Sequence, residues 1–169
     1  MLQVRTHLVY ELKWMIFAAD AFRNAEGWSY VAFLDSAALH ARNLFEFAAK
    51  QDEARFTLHA LGGNAAKSND WDRWVNNRVA HMLEREHDKA PWPAGGGEGW
   101  EDPNKLMTMA KEVLERLRAG GKCMPQGLLR DSYYEVLSAA EQYWADPNPK
   151  NHGRLARLYD ESQDEPYPD

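Results

Sequence analysis

The chain has 169 residues, about one domain's worth, and is long enough to bury a sizeable core. It is 44% hydrophobic, 12% aromatic and 27% charged, which excludes a disordered or fibrous chain. A formal net charge of −6 argues against a generally basic nucleic-acid coat protein but leaves room for one local basic site. The single cysteine, Cys123, excludes an internal disulfide and any Cys-rich zinc module.

Five segments carry helical periodicity, and none alternates like a strand over a useful length. The first spans about Val4 to Arg23, with Leu8, Leu12, Met15, Ala19 and Phe22 as its stripe, and Gly27 then breaks the chain. Its apolar run Trp14–Ala19 is too short for a membrane helix, and Glu11, Lys13 and Asp20 spoil a signal peptide. A cytoplasmic protein with no membrane partner is expected. The second segment spans about Ser29 to Lys50, where Val31, Leu34, Ala38, Ala41, Phe45 and Ala48 form a packing seam. Gly62-Gly63-Asn64 marks a loop.

The third helix is expected to start near Ser68, Asn69 or Asp70 and to end around His87 to Lys89. Pro91, Pro93 and Gly95-Gly96-Gly97 then form a linker. The fourth has Asp102 as N-cap, Pro103 at the first helical position, a stripe from Leu106 to Leu117, and Gly120-Gly121 as its stop. The fifth runs from about Leu128 to Trp144, with Pro147 and Pro149 ending it. Gly153 to Tyr159 is expected to add a turn or two. The seven tryptophans are expected at the core or its rim. The sum is an all-α, up-and-down bundle of about five helices, one domain over 1–159, followed by an acidic, disordered tail over 160–169.

Two helices hold polar groups of interest. On the third, Trp71, Val75, Val79, Met82 and Leu83 share the core face. Asn77, Arg78, His81, Glu84, Arg85 and Asp88 lie along one flank, at about 100° per residue. Imidazole changes charge near neutral pH, and arginine grips phosphate oxygens in pairs. Together they suit a phosphodiester and its protons without a metal. The plainer reading is a solvated face on which Asp88 and Glu84 pair with the arginines. On the second helix Arg42 shares a polar arc with Asp35, Ser36, Asn43, Glu46 and Lys50, and Arg42–Glu46 is an ordinary i,i+4 pair. His40 falls on the apolar side, between Phe33 and Phe47, so it needs a hydrogen-bond partner. No GxGxxG, phosphate loop, nucleophile elbow or HExxH is present, and no cofactor is implied. A metal site drawing on His40 and His81 from separate helices is conceivable in a bundle. In size and helix count the chain resembles the DinB-like metal-binding bundles.

Two runs carry a closer resemblance. Leu39-His40-Ala41-Arg42-Asn43-Leu44-Phe45-Glu46-Phe47 resembles the second-helix signature of uncharacterised bacterial HEPN-like proteins, and Tyr10-Glu11-Leu12 fits their first helix. Asn76-Asn77-Arg78-Val79-Ala80-His81-Met82-Leu83 with Arg85 after it resembles their third helix. Trp92-Pro93 resembles the stretch just beyond that helix. The similarity covers about the first 95 residues. It implies a helical bundle that dimerises. Many active members of that family are metal-independent endoribonucleases in toxin–antitoxin or phage-defence systems, and inactive ones serve in RNA binding or assembly. In the active ones an arginine and a histidine four to six residues apart meet their copies across a dimer. Here two residues separate Arg78 from His81 and seven separate Arg73 from it, so the spacing departs from that pattern.

The resemblance and the flank together nominate His81, Arg42 and Arg78 as a catalytic group, with Asn77, Arg85, Asn43 and His40 binding substrate. A homodimer and RNA are the expected partners. The alternative is a non-catalytic module that binds a partner protein, with His40 and His81 holding the bundle together.

Overall fold

The computed structural model describes residues 4–51, 56–67, 70–83 and 104–163, and for 4–5, 77–83 and 161–163 the backbone alone. Among them are six α-helices and no strand, so the chain is an all-α bundle. A π-helical turn, Val4–Leu8, leads into α1, Val9–Phe22. Then come α2 (Gly27–Ala49), α3 (Asp70–Leu83), α4 (Lys105–Gly121), α5 (Leu128–Ala145) and α6 (Pro149–Gln163).

The near-continuous apolar run of α1 has a simple cause. That helix packs against α2, α4, α5 and α6, so it needs apolar residues on most of its circumference. Leu8, Leu12, Met15, Ala19 and Phe22 are buried as their spacing predicts, and so are Ile16 and Ala18. The α2 seam is buried at Leu34, Ala38, Ala41, Phe45 and Ala48. Gly27 takes a positive φ of 57° and turns the chain into α2, which starts two residues ahead of Ser29.

Polar ties fix the helices around this core. The Tyr133 hydroxyl donates to the Leu117 carbonyl at 2.7 Å, and burial raises its pKa above the usual range. Trp144 Nε1 donates to the Met107 carbonyl at 2.9 Å. Arg116 of α4 reaches Asp72 of α3 at 3.0 Å and Glu112 at 3.1 Å, and lies 5.0 Å from the Phe45 ring centroid. One guanidinium therefore links α2, α3 and α4. Its near-complete burial is tolerable because both carboxylates hydrogen-bond to it.

Four expectations change. First, the segment after Pro149 is a helix of 15 residues, not a turn or two, and it continues past Tyr159 to Gln163. Asn148 Oδ1 accepts from the Asn151 N–H at 2.9 Å, the bond of an N-cap, and Pro149 takes the first helical position. Secondly, Asn104 stands at the N-cap position of α4; Asp102 and Pro103 lie outside the described residues. Thirdly, α4 ends at Gly120-Gly121 as expected, but both keep helical backbone and neither has a positive φ, so the end is not a left-handed glycine cap. Fourthly, Trp28 is 88% exposed, away from core and rim. The expected end of α3 at His87 to Lys89, and the tail beyond Gln163, lie outside the described residues.

Candidate functional site

The buried histidine has its partner on the neighbouring helix. His40 is only 9% exposed, and its Nδ1 lies 2.7 Å from Glu11 Oε2. Asn43, one turn further along α2, donates its amide to Glu11 Oε1 at 3.1 Å and to Oε2 at 3.2 Å. Three chemical groups thus hold α1 to α2, and Glu11 is held rigid by donors on two sides. The Tyr10 ring meets the His40 ring edge-on at 5.5 Å, closing the imidazole from outside. His40 is a satisfied interior histidine, with the hydrogen-bond partner that its place on the apolar side of α2 requires.

Arg42 points another way. Its Nε donates to Asn76 Oδ1 of α3 at 3.1 Å and lies 3.2 Å from Glu46 Oε1. Lys50 Nζ binds the other oxygen of Glu46 at 2.6 Å. The Lys50 hydrogen bond, aided by the charges of Lys50 and Arg42, outweighs burial and holds the Glu46 carboxyl below its ordinary pKa. Arg42, Glu46 and Lys50 therefore form one charged line along α2, each a turn from the next. The expected Arg42–Glu46 pair is present, and it coexists with the contact to α3.

A cavity of about 270 Å³ opens beside this line, lined by His7, Glu11, Asn43, Glu46, Lys50 and Phe56 among others. The segment after α2 forms one wall. Leu58 N–H donates to the Phe47 carbonyl at 2.9 Å, which folds residues 56–58 back onto the end of α2.

Of the nominated residues, His40 and Asn43 meet at Glu11, and Arg42 stands at the α2–α3 seam. Asn77, Arg78 and His81 are on α3, but their side chains lie outside the described residues, and Arg85 lies outside them altogether. Among the described residues no group of three or more His, Cys, Asp or Glu side chains could hold a metal ion. None of their helices is long and apolar enough to cross a membrane.

Glu11, Asn76 and Lys50 take part in these contacts although none is among the nominated residues. For Glu11 there was a usable signal. At 100° per residue it stands about 20° from Phe22 and about 40° from Met15, so this carboxylate lies on the buried face of α1 and requires a donor. Asn76 had no such signal, because its role depends on how α3 crosses α2.

No family model, curated protein or solved structure matches the chain.

Proposed function

We propose that this chain is a HEPN-like bundle that works in the cytoplasm as a homodimer and binds RNA along the seam of α2 and α3. The observation that carries this reading is the contact of Arg42 with Asn76 at 3.1 Å. It sets a planar cation, 36% exposed, beside the helix that bears Asn77, Arg78 and His81. A guanidinium at such a seam can grip two phosphate oxygens at once.

The sequence resemblance extends the reading to metal-independent cleavage. A ribose 2′-oxygen attacks the adjacent phosphorus, and the bond to the 5′-oxygen breaks. His81 takes the 2′-hydroxyl proton and returns one to the leaving oxygen, while Arg42 or Arg78 stabilises the charged phosphorane. The products are a cyclic phosphate and a 5′-hydroxyl.

The test uses a labelled single-stranded RNA with the wild type, Arg42→Ala and His81→Ala. Arg42→Ala should weaken binding about tenfold, the loss of one charge-assisted contact. His81→Ala should keep its circular dichroism and lose the cyclic-phosphate product. Absence of RNA binding by the wild type overturns the reading; binding without cleavage removes only the catalytic part.

A second reading, a non-catalytic protein-interaction module, draws on the His40–Glu11 contact, where the imidazole is enclosed and serves packing. On this reading His40→Ala destabilises by ~1–3 kcal/mol, the cost of leaving a buried polar group unsatisfied, and the wild type turns over no RNA.

A further inference from the structure

We infer that the cavity between α1, the C-terminal half of α2 and residues 56–57 binds a primary alkylammonium ion, its charged head at Glu11 and its carbon chain along Leu44, Phe47 and Phe56. A free amine and the side chain of a lysine share this chemistry. The inference stands apart from the RNA reading.

Size and walls come first. At about 270 Å³ the cavity sits near the lower end of ligand sites, which suits a molecule of a few heavy atoms. Much of its wall is hydrocarbon, from Leu8, Leu44, Phe47 and Phe56. The Phe56 ring lies 5.0 Å from that of Phe47 and 5.6 Å from that of His7. Such a surface takes up an alkyl stem, and aromatic rings tolerate a cation at its end.

Charge decides the sign of the ligand. Glu46 is matched twice: Lys50 Nζ binds its Oε2 at 2.6 Å, and Arg42 Nε lies 3.2 Å from its Oε1. Lys50, the lysine that lines the cavity, is thereby committed to a carboxylate that lines it too. Glu11 has instead the His40 imidazole and the neutral amide of Asn43. With histidine counted neutral, the lining keeps one negative charge in excess, and it sits on Glu11. A monovalent cation neutralises it, whereas an anion is repelled.

Hydrogen bonding decides the kind of cation. A carboxylate offers about four acceptor positions. His40 and Asn43 occupy two on Oε2 of Glu11, and Asn43 occupies one on Oε1. Oε1 therefore keeps a position for one further donor. The Asn43 Oδ1 accepts no bond among the described residues and offers a second place nearby. A primary ammonium brings three N–H donors on one atom and can serve both. A quaternary ammonium has none to give. A guanidinium needs both carboxylate oxygens side by side, and Oε2 is already full.

The test is titration of the full chain with butylammonium, butan-1-ol, butanoate and methylammonium at one ionic strength, followed by backbone chemical shifts. Butylammonium should bind about tenfold more tightly than the alcohol or the anion, which lack its charge, and than methylammonium, which lacks its stem. Glu11→Gln should bring butylammonium down to the level of the alcohol. Lys50→Ala should tighten it severalfold, since Glu46 then adds to the negative charge of the lining. Equal binding of ammonium and alcohol, or an unchanged preference in Glu11→Gln, overturns the inference. If Glu11→Gln does not fold, the wild type decides: shifts at His7, Phe56 and Thr57 on adding butylammonium support the site, and shifts confined elsewhere overturn it. A lysine capped at both ends separates the two sources. Its binding admits a lysine side chain, and its exclusion while butylammonium binds assigns the cavity to free amines. On the RNA reading Lys50→Ala weakens strand binding instead, so the two readings fail separately.

Discussion

At the scale of single residues, two groups tie the fold to pH. The His152 ring lies 5.4 Å from the Tyr143 ring and 6.3 Å from that of Phe17. Burial, and then the charge of Lys13, push its pKa below the usual 6.5. Between the folded and unfolded values the unfolded chain binds the proton more readily, so stability falls as pH drops below the unfolded value. Glu46 acts in the same direction at lower pH. Its carboxyl is held below 4.5, chiefly by Lys50, so its contribution is present above that value and lost as pH falls through the folded one. The urea midpoint of the wild type should therefore decline from about pH 7 to about pH 5, before the carboxylates titrate. His152→Phe keeps an aromatic ring at that position and removes the titration, so its midpoint should stay nearly level over that range. Parallel decline of both proteins would show that another group is responsible. Residues of this kind differ in how far the sequence betrays them. The need of His40 for a partner follows from its place on the apolar side of α2. The identity of that partner required the bearing of Glu11 on α1, and the chain gives no local pattern linking positions 29 residues apart.

At the scale of elements, α1 to α5 follow from apolar spacing, while α6 and the end of α4 turn on residues that carry two meanings. Pro149 has the look of a helix stop, yet proline suits a first helical position equally well, and the preceding Asn148 is the cap that decides between them. Gly120 has the same ambiguity. Glycine after a stripe reads as a helix end, but here it is helical and serves close approach. A Cβ at Gly120 would meet the Leu58 side chain and stand 2.7 Å from the Asn64 carbonyl oxygen. The Asn64 N–H donates to the Gly120 carbonyl at 2.9 Å, so loop and helix are in backbone contact and neither can withdraw cheaply. Gly120→Ala should cost ~1–3 kcal/mol, the range for overpacking, and lower the melting temperature by roughly 2–12 °C. Gly153 in α6 is the natural control. Nothing lies within 4 Å of a Cβ built there, so Gly153→Ala should raise stability by ~0.5–1 kcal/mol through helix propensity. A melting temperature unchanged in Gly120→Ala would refute the close-approach role.

At the scale of the whole molecule, the net charge of −6 restricts how a polyanion can bind. A net-negative chain repels an RNA strand at long range, so a few local cations must hold it against that field. Arg42 and Lys50 are the two that the α2 line offers, each already sharing Glu46. Contact with about two phosphates predicts a shallow salt dependence, with log K against log salt falling at a slope of about −1.4 for a single strand. Arg42→Ala should reduce that slope by about 0.7 as well as lowering affinity. The paired readout separates two roles that affinity alone would confuse. If Arg42 only positions α3 through Asn76, its removal weakens binding at every salt concentration and leaves the slope alone. A slope near −4 or steeper in the wild type would mean about six phosphate contacts, more than Arg42 and Lys50 of one chain can make, and would bring in further cations such as Arg78 or those of a second copy.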